Sequence, residues 1–361
     1  MAPSSYHHRL MVAALFFFPL ARCLRLVQWN VHAWRDSMHR DNFERVCRCL
    51  ETLRPDVVCL NEVVEPYALD EAFDAEEDRR AYLEETRRGE MRGRAVGRRR
   101  PRTSYLARLR DRLGFAGCVF GEAERDLCYF GQVPFGNAVL TKRPVLDWSN
   151  VTMVSTDADA GLGDQPRAFA ESRGAVWAET TTSGDASGLS TRIVVATAHL
   201  DHKSEELRAK QMGLCLGALP SKNSILCGDF NTFQKRDHGD DAWRRIVDFY
   251  ASRGWPPPRE ASLVLDRLTN AGWRDASDLA EGRTRRPPEP TCWTHEPLFR
   301  IDHVWLSPPT LLTGTLKVAA YARWEDDASD HFPVVVDFRF SNNNDDKDDI
   351  LRQANEAYSS E

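Results

Sequence analysis

The chain has 361 residues, 42% of them hydrophobic and 28% charged, with a formal net charge of −6. That length and apolar content supply a full core for one large α/β domain and exclude bulk disorder. The mild acidity argues against nucleic-acid binding through the overall field and leaves room only for a local basic groove.

Residues 10–21 form an apolar run too short to span a bilayer but suited to a signal-peptide core, with Arg9 before it and Ala21-Arg22-Cys23 after it. Residues 1–23 are therefore read as a candidate signal peptide, which places the protein in secreted or endomembrane space; without cleavage it is intracellular. The first strand follows at once, over 24–29, and ends at Asn30. Phe43, Val46, Leu50 and Leu53 recur at helical spacing, and Pro55-Asp56 stops that helix. A strand over 57–60 then leads to Glu62.

From Glu71 to Asp78 the chain is acidic, and from Arg87 to Arg102 it is basic. This charged insertion, near 66–103, reads as a solvated segment before a helix that begins near Tyr105; the alternative is an arm that grips phosphates. Further strands are expected over 137–141, 175–180 and 193–199, the last ending at His199. A helix over 204–219 is expected to turn Leu207, Leu214 and Leu216 inward, with Ser204 as N-cap. After Pro220 a strand runs into Asp229 and Asn231. Asp302 opens another apolar run, and Asp330-His331 precede the run over 332–336. The acidic tail, 341–361, is expected to be disordered.

Cys59 and Cys227 fall inside core strands, where a thiol behaves as a small hydrophobe. Cys47 and Cys49 point in different directions on one helix, and no pair has zinc-like spacing. Asn150-Val151-Thr152 is a glycosylation triplet if the chain is secreted.

Carboxylates, amides and two imidazoles at the ends of buried strands are the parts for a hard divalent cation and for general acid–base chemistry on a phosphate. A lone Asp or Asn after a strand is most often a turn residue, and a lone His a structural one. That reading is accepted for His32, His202, His238, His295 and His303. For Glu62, Asp229, Asn231, Asp302 and His331 it is rejected, because they form an ordered set.

That set resembles the endonuclease/exonuclease/phosphatase superfamily. The resemblance rests on Gln28-Trp29-Asn30, Leu60-Asn61-Glu62-Val63, Gly136-Asn137-Ala138-Val139-Leu140, Glu171-Ser172-Arg173, Thr197-Ala198-His199-Leu200, Gly228-Asp229-Phe230-Asn231, Arg300-Ile301-Asp302-His303 and Ser329-Asp330-His331, in that order. It implies one four-layer α/β sandwich of the DNase I-like kind over 24–340, two mixed sheets face to face with helices outside. It implies Mg²⁺ or Mn²⁺ held by Glu62, with Asn30 and Asp330 beside it. Asp229 then orients or deprotonates the attacking water and Asn231 donates to a phosphate oxygen, while Asp302 holds His331, whose protonated ring faces the phosphorane. His199 would contact phosphate or protonate the leaving oxygen. Asn137, Arg173 and Trp293 are expected to touch substrate, and Trp293, Phe299 and Trp34 are loop aromatics that could stack on bases. Arg208 and Gln211 read as structural support. The family often has Gln before its metal Glu, where this chain has Asn61.

The expected activity is hydrolysis of nucleic-acid phosphodiester bonds by a monomer without a transmembrane segment. The alternatives are a phosphatase or phosphodiesterase acting on a small or lipid phosphate ester, and an inactive binding module.

Overall fold

A computed structural model describes residues 24–65, 104–124, 134–153, 173–182, 190–202, 204–255, 257–282, 287–313 and 316–340. The candidate signal peptide, the charged insertion, the tail and Glu171-Ser172 lie outside the described residues.

Two six-stranded sheets carry the fold. The first has the order β11 (Leu316–Arg323), β12 (Val334–Phe340), β1 (Leu24–Asn30), β2 (Val57–Val64), β4 (Phe135–Thr141), β3 (Gly117–Glu124). The second has the order β5 (Asp147–Met153), β6 (Arg173–Thr181), β7 (Arg192–His199), β8 (Ser224–Asp229), β10 (Asp302–Leu306), β9 (Arg274–Asp275). Each sheet is mixed: β1 and β2 run parallel, as do β7 and β8, and the other pairings are antiparallel. Successive strand side chains point to opposite faces, and here both faces are covered. Leu26, Cys59, Val139, Val176, Val195, Ile225 and Val304 pack between the sheets. Val27, Trp29 and Leu60 face outward onto Phe43, Val46, Leu50 and Leu109 of α1 (Phe43–Leu53) and α2 (Tyr105–Leu113). Ala196, Leu226 and Trp305 face the other way, onto Met212, Cys215, Val264 and Leu268 of α3 (Glu205–Ala218) and α5 (Leu263–Asn270). The result is the helix–sheet–sheet–helix sandwich, and double coverage explains why β1, β4 and β8 are buried along their whole length. A fourth cluster, around Phe299 and Ile301, packs against α4 (Asp240–Ser252).

The helix boundaries follow local chemistry. Ser204 caps α3, its hydroxyl accepting from Leu207 N at 3.2 Å, as its position predicts. The expected inward face of α3 needs one correction. Leu214 is 55% exposed, because the buried stripe centres on Met212 and Cys215 and Leu214 stands about 100° round the helix from Cys215. Leu207 is buried and Leu216 is half-buried against the core.

Candidate active site

Strand direction gathers the polar residues at one end of the sandwich. Parallel pairing puts Asn30 beside Asn61 and His199 beside Asp229, and antiparallel pairing puts Asp302 on the other side of Asp229. Local backbone then aims them. Between β2 and β4 the register slips after Leu60↔Ala138 and resumes at Val63↔Gly136, so Asn61 and Glu62 bulge together opposite Asn137. Within that bulge Glu62 has φ 54°. Gly228 has φ +141°, and a Cβ there would sit 1.9 Å from the Ala198 carbonyl oxygen. Only glycine lets β8 approach β7 closely enough to place Asp229 beside His199.

The side chains form one connected set. Asn30 Nδ2 donates to Glu62 Oε1 and to Asp229 Oδ2, each at 3.0 Å. Asp229 Oδ1 accepts from the Asn231 backbone N–H at 2.9 Å. His331 Nδ1 is 2.8 Å from Asp302 Oδ2, and its Nε2 faces Asp229 Oδ2 at 3.7 Å. His199 Nε2 lies 3.6 Å from Asp229 Oδ2, 3.8 Å from Glu62 Oε1 and 3.1 Å from Asn231 Nδ2. Arg173 closes the set, with Nη1 3.0 Å from His199 Nδ1 and Nη2 2.9 Å from His202 Nδ1.

Burial makes these groups unlike free amino acids. It raises the Asp229 carboxyl to about 7, with Asp302 and Glu62 adding to the rise and His331 and Asn30 opposing it. Burial lowers the His199 ring well below the usual range, and the Arg173 guanidinium lowers it further, so this imidazole is neutral at physiological pH. For His331 burial works the same way, but Cys292 and the Asp302 and Asp229 carboxylates outweigh it and hold that ring well above the usual range. A neutral and a protonated imidazole thus flank one carboxylate.

The donor set fits a hard divalent cation. Ligand atoms of Glu62, His199 and Asp229 lie within 4.8 Å of one another, and the upward shift of Asp229 marks negative charge crowded into a buried place. Asp229, Asp302 and His331 form a second such group, but the protonated, hydrogen-bonded His331 ring is no ligand.

Asn30, Glu62, His199, Asp229, Asn231, Asp302, His331 and Arg173 therefore converge as expected. Others have different surroundings from those the sequence suggested. Asn30 turns its amide nitrogen to the carboxylates, because its oxygen accepts from the His32 backbone N–H at 2.9 Å. Asp330 stands at the rim, accepting from Ser329 Oγ at 3.2 Å and 3.7 Å from His32 Nδ1, outside both ligand groups. Asn137 lies below the site, accepting from Asn61 and donating to the Gly174 carbonyl, with only 1% of its surface exposed. Trp293 packs edge-on against Phe249 and Phe299, although the next residue ties its loop to the site through Thr294 N donating to Asp330 O at 2.9 Å. Trp34 and Phe299 are buried core aromatics and present no stacking face. His303 and His238 are buried structural histidines, whereas His202 and His32 border the site. Sequence reading quoted Gln28 only within the Gln28-Trp29-Asn30 motif and gave it no role, although it is a polar side chain in an otherwise apolar stretch of β1. Arg208 and Gln211 do act as support: Arg208 Nη1 donates to the Asp201 carbonyl and Gln211 Oε1 accepts from Asp201 N.

Two stacked mixed sheets with buried carboxylates, a neutral imidazole and a charged one at their shared end define a DNase I-like phosphoester hydrolase. The model of the Endonuclease/Exonuclease/phosphatase family matches residues 27–331, and the chain belongs to that family. An endonuclease/exonuclease/phosphatase from Beutenbergia cavernae is similar at 21% identity and TM-score 0.59, over 89% of this chain and 72% of that one. The human nocturnin catalytic domain matches at 17% identity and TM-score 0.50, over 89% of this chain and 94% of its own. A mannosyl-6-phosphatase from Bacteroides thetaiotaomicron matches at 14% identity and TM-score 0.50, over 88% of this chain and all of its own. At these identities the likeness is one of fold. A search of curated proteins found no significant match. Among the described residues no helix is long and apolar enough to cross a membrane.

Proposed function

We propose that this chain hydrolyses nucleic-acid phosphodiester bonds in a reaction that depends on Mg²⁺ or Mn²⁺. The observation that carries the hydrolytic reading is the line of groups Asp302, His331, Asp229, in which a buried carboxylate backs a protonated imidazole that faces a second carboxylate. Asp229, with its carboxyl near 7, is matched to accept a proton from an attacking water at neutral pH. The Nε2–H of His331, a residue only 5% exposed, would meet the charge that develops on the phosphoryl oxygens. The Arg173 guanidinium, beside His199 and His202, supplies donors for the remaining oxygens, and Asn231 Nδ2 would join it by exchanging its His199 or Leu200 contact for phosphate. The neutral His199 ring suits a phosphate contact rather than protonation of the leaving oxygen. A divalent cation at Glu62 would add positive charge at the scissile phosphate.

Nucleic acid is favoured as substrate by the DNase-like His199, by Arg173 and His202 next to it, and by the arginines between Arg87 and Arg102. A small phosphate ester is the second reading, supported by the net charge of −6 and by a mannosyl-6-phosphatase among the similar folds. Incubating the purified protein with duplex DNA, single-stranded DNA, RNA, nucleotides and phosphoinositides, with Mg²⁺ and with chelator, separates them. Fastest cleavage of a polymer, abolished by chelator, is expected. Activity confined to small esters moves the assignment to the second reading, and activity that survives chelator removes the metal.

A further inference from the structure

We propose that Gln28 is a positioning residue, which holds the Asp302 carboxylate in place for His331 and ties that pair to the Asp229 strand through Asn61. The inference rests on the hydrolytic reading above and extends it to a side chain that touches no reacting group.

Gln28 is fully buried in the middle of β1. Its Nε2 lies 3.0 Å from Asp302 Oδ1 and 3.0 Å from Asn61 Oδ1. An amide nitrogen carries two hydrogens, so both are committed. An ionised carboxylate only accepts, which fixes Gln28 with its nitrogen toward Asp302. Asn61 must then present its oxygen, and that oxygen also accepts from the Asp229 backbone N–H at 2.9 Å. Asn61 Nδ2 in turn donates to Asn137 Oδ1 at 2.8 Å and to Thr197 Oγ1 at 3.0 Å, and Asn137 Nδ2 donates to the Gly174 carbonyl at 2.8 Å. Every bond in this chain has a single polarity, set by the carboxylate. It crosses from β1, β2 and β4 in one sheet to β6, β7, β8 and β10 in the other.

Packing alone does not call for an amide here. Gln28 Oε1 is buried with no hydrogen-bond partner among the described residues, and an unmet buried acceptor opposes folding. A methionine would fill the space without that cost but would leave Asp302 Oδ1 without its donor. What the amide adds is control of orientation. Asp302 has one oxygen on His331 Nδ1 at 2.8 Å and the other on Gln28, so the carboxylate cannot rotate about its own axis. The His331 ring is thereby held with Nε2 toward Asp229.

Gln28→Met is the test, read two ways in the full-length protein. In proton NMR spectra the His331 Nδ1–H signal, identified by its loss in His331→Ala, should shift or broaden through exchange with water. With bis(p-nitrophenyl) phosphate and Mn²⁺, kcat should fall about 10- to 100-fold at unchanged KM, the effect of losing a hydrogen bond to a charged group. The same substitution in a His331→Ala background should cost no further activity. An unchanged ring-proton signal in folded Gln28→Met overturns the proposal, and so does an equal loss of kcat with and without His331, which would mean a general structural role. If Gln28→Met does not fold, Gln28→Asn replaces it, because an amide one methylene shorter cannot span both acceptors; the same outcomes decide. If the wild-type protein leaves the diester intact, the hydrolytic reading fails while the ring-proton signal still judges Gln28.

Discussion

Asp302→Asn should separate catalysis from folding. Asp302 is fully buried, and both its oxygens face donors, His331 Nδ1 at 2.8 Å and Gln28 Nε2 at 3.0 Å. An amide of the same shape offers one acceptor and one donor, so one of these contacts becomes N–H against N–H unless His331 changes tautomer. Either way the buried counter-charge of the imidazolium is gone. A hydrogen bond to a charged group is worth about 1.5 to 3 kcal/mol, and a buried donor left unmet costs about 1 kcal/mol more. Assigned to the transition state, that total of about 2.5 to 4 kcal/mol lowers kcat about 70- to 900-fold. The assay is steady-state hydrolysis of bis(p-nitrophenyl) phosphate with Mn²⁺, alongside thermal unfolding. KM should stay near its wild-type value and the fold should be kept. Removing one of three crowded carboxylates relieves part of the repulsion that holds the Asp229 carboxyl up, which offsets some of what the fold loses with the His331 pair. A kcat within twofold of wild type would refute the role of the Asp302–His331 pair.

Further outcomes follow from the same geometry. The metal-free protein should lose stability as pH rises from about 6.5 to 8: the Asp229 carboxyl, raised from its ordinary 3.8 to about 7, costs stability progressively between those values, and the raised His331 ring loses its favourable contribution above its ordinary 6.5, whereas below 6.5 the lowered His199 and His238 rings work the other way and add stability as pH climbs. Mn²⁺ should recover more stability at pH 8 than at pH 6, because below about 7 a proton on Asp229 competes with the cation; melting curves with equal recovery at both values would place the ion away from Asp229. Gly228→Ala should destabilise by more than about 3 kcal/mol in urea unfolding, since its Cβ would lie 1.9 Å from a backbone oxygen of β7, and a cost under about 1 kcal/mol would contradict that packing. Deleting residues 87–102 should flatten the salt dependence of DNA binding measured by fluorescence anisotropy, and an unchanged slope would assign phosphate contact to other residues.

Much of this was legible in the sequence, and the parts that were not have physical reasons. Strands buried on both faces announce themselves as apolar runs, so the ends that carry Asn30, Glu62, His199 and Asp229 could be read directly. Side chains that work through a partner on another strand could not. Gln28, Asn61 and Asn137 are far apart in the chain, and only the pairing of β1, β2 and β4 side by side brings their amides together, while the second sheet stacked on the first supplies Asp302 and Thr197. The apolar face of α3 was misjudged at Leu214 because leucine spacing alone does not say which stripe meets the sheet. Trp293, expected to touch substrate, packs edge-on against Phe249 and Phe299, and a loop aromatic gives no sign from sequence of the apolar shelf beside it.

Where local sequence preference and observed backbone disagree, the disagreements collect at one end of the sandwich. Glu62 and Asn231 both take left-handed φ, 54° and 50°, and His32, Ala33 and Trp34 do so in succession just after Asn30. Such positions cost about 1 to 3 kcal/mol each for residues other than glycine and persist only where surrounding contacts over-determine them. Those contacts are present: His32 N–H donates to Asn30 Oδ1, the Trp34 indole donates to the Val64 carbonyl, and Asn231 N–H donates to Asp229 Oδ1. Each ties a strained residue to a side chain of the site or to the strand that carries one. Strain concentrated at the catalytic end, with Arg54 at the C-cap of α1 the exception at the far end, on a scaffold whose strands and helices otherwise follow their sequence patterns, is what a site built for fixed side-chain orientation requires. The prediction that Asp302→Asn loses activity without losing the fold rests on that division, because the scaffold below the site is held by apolar packing and not by the carboxylates above it.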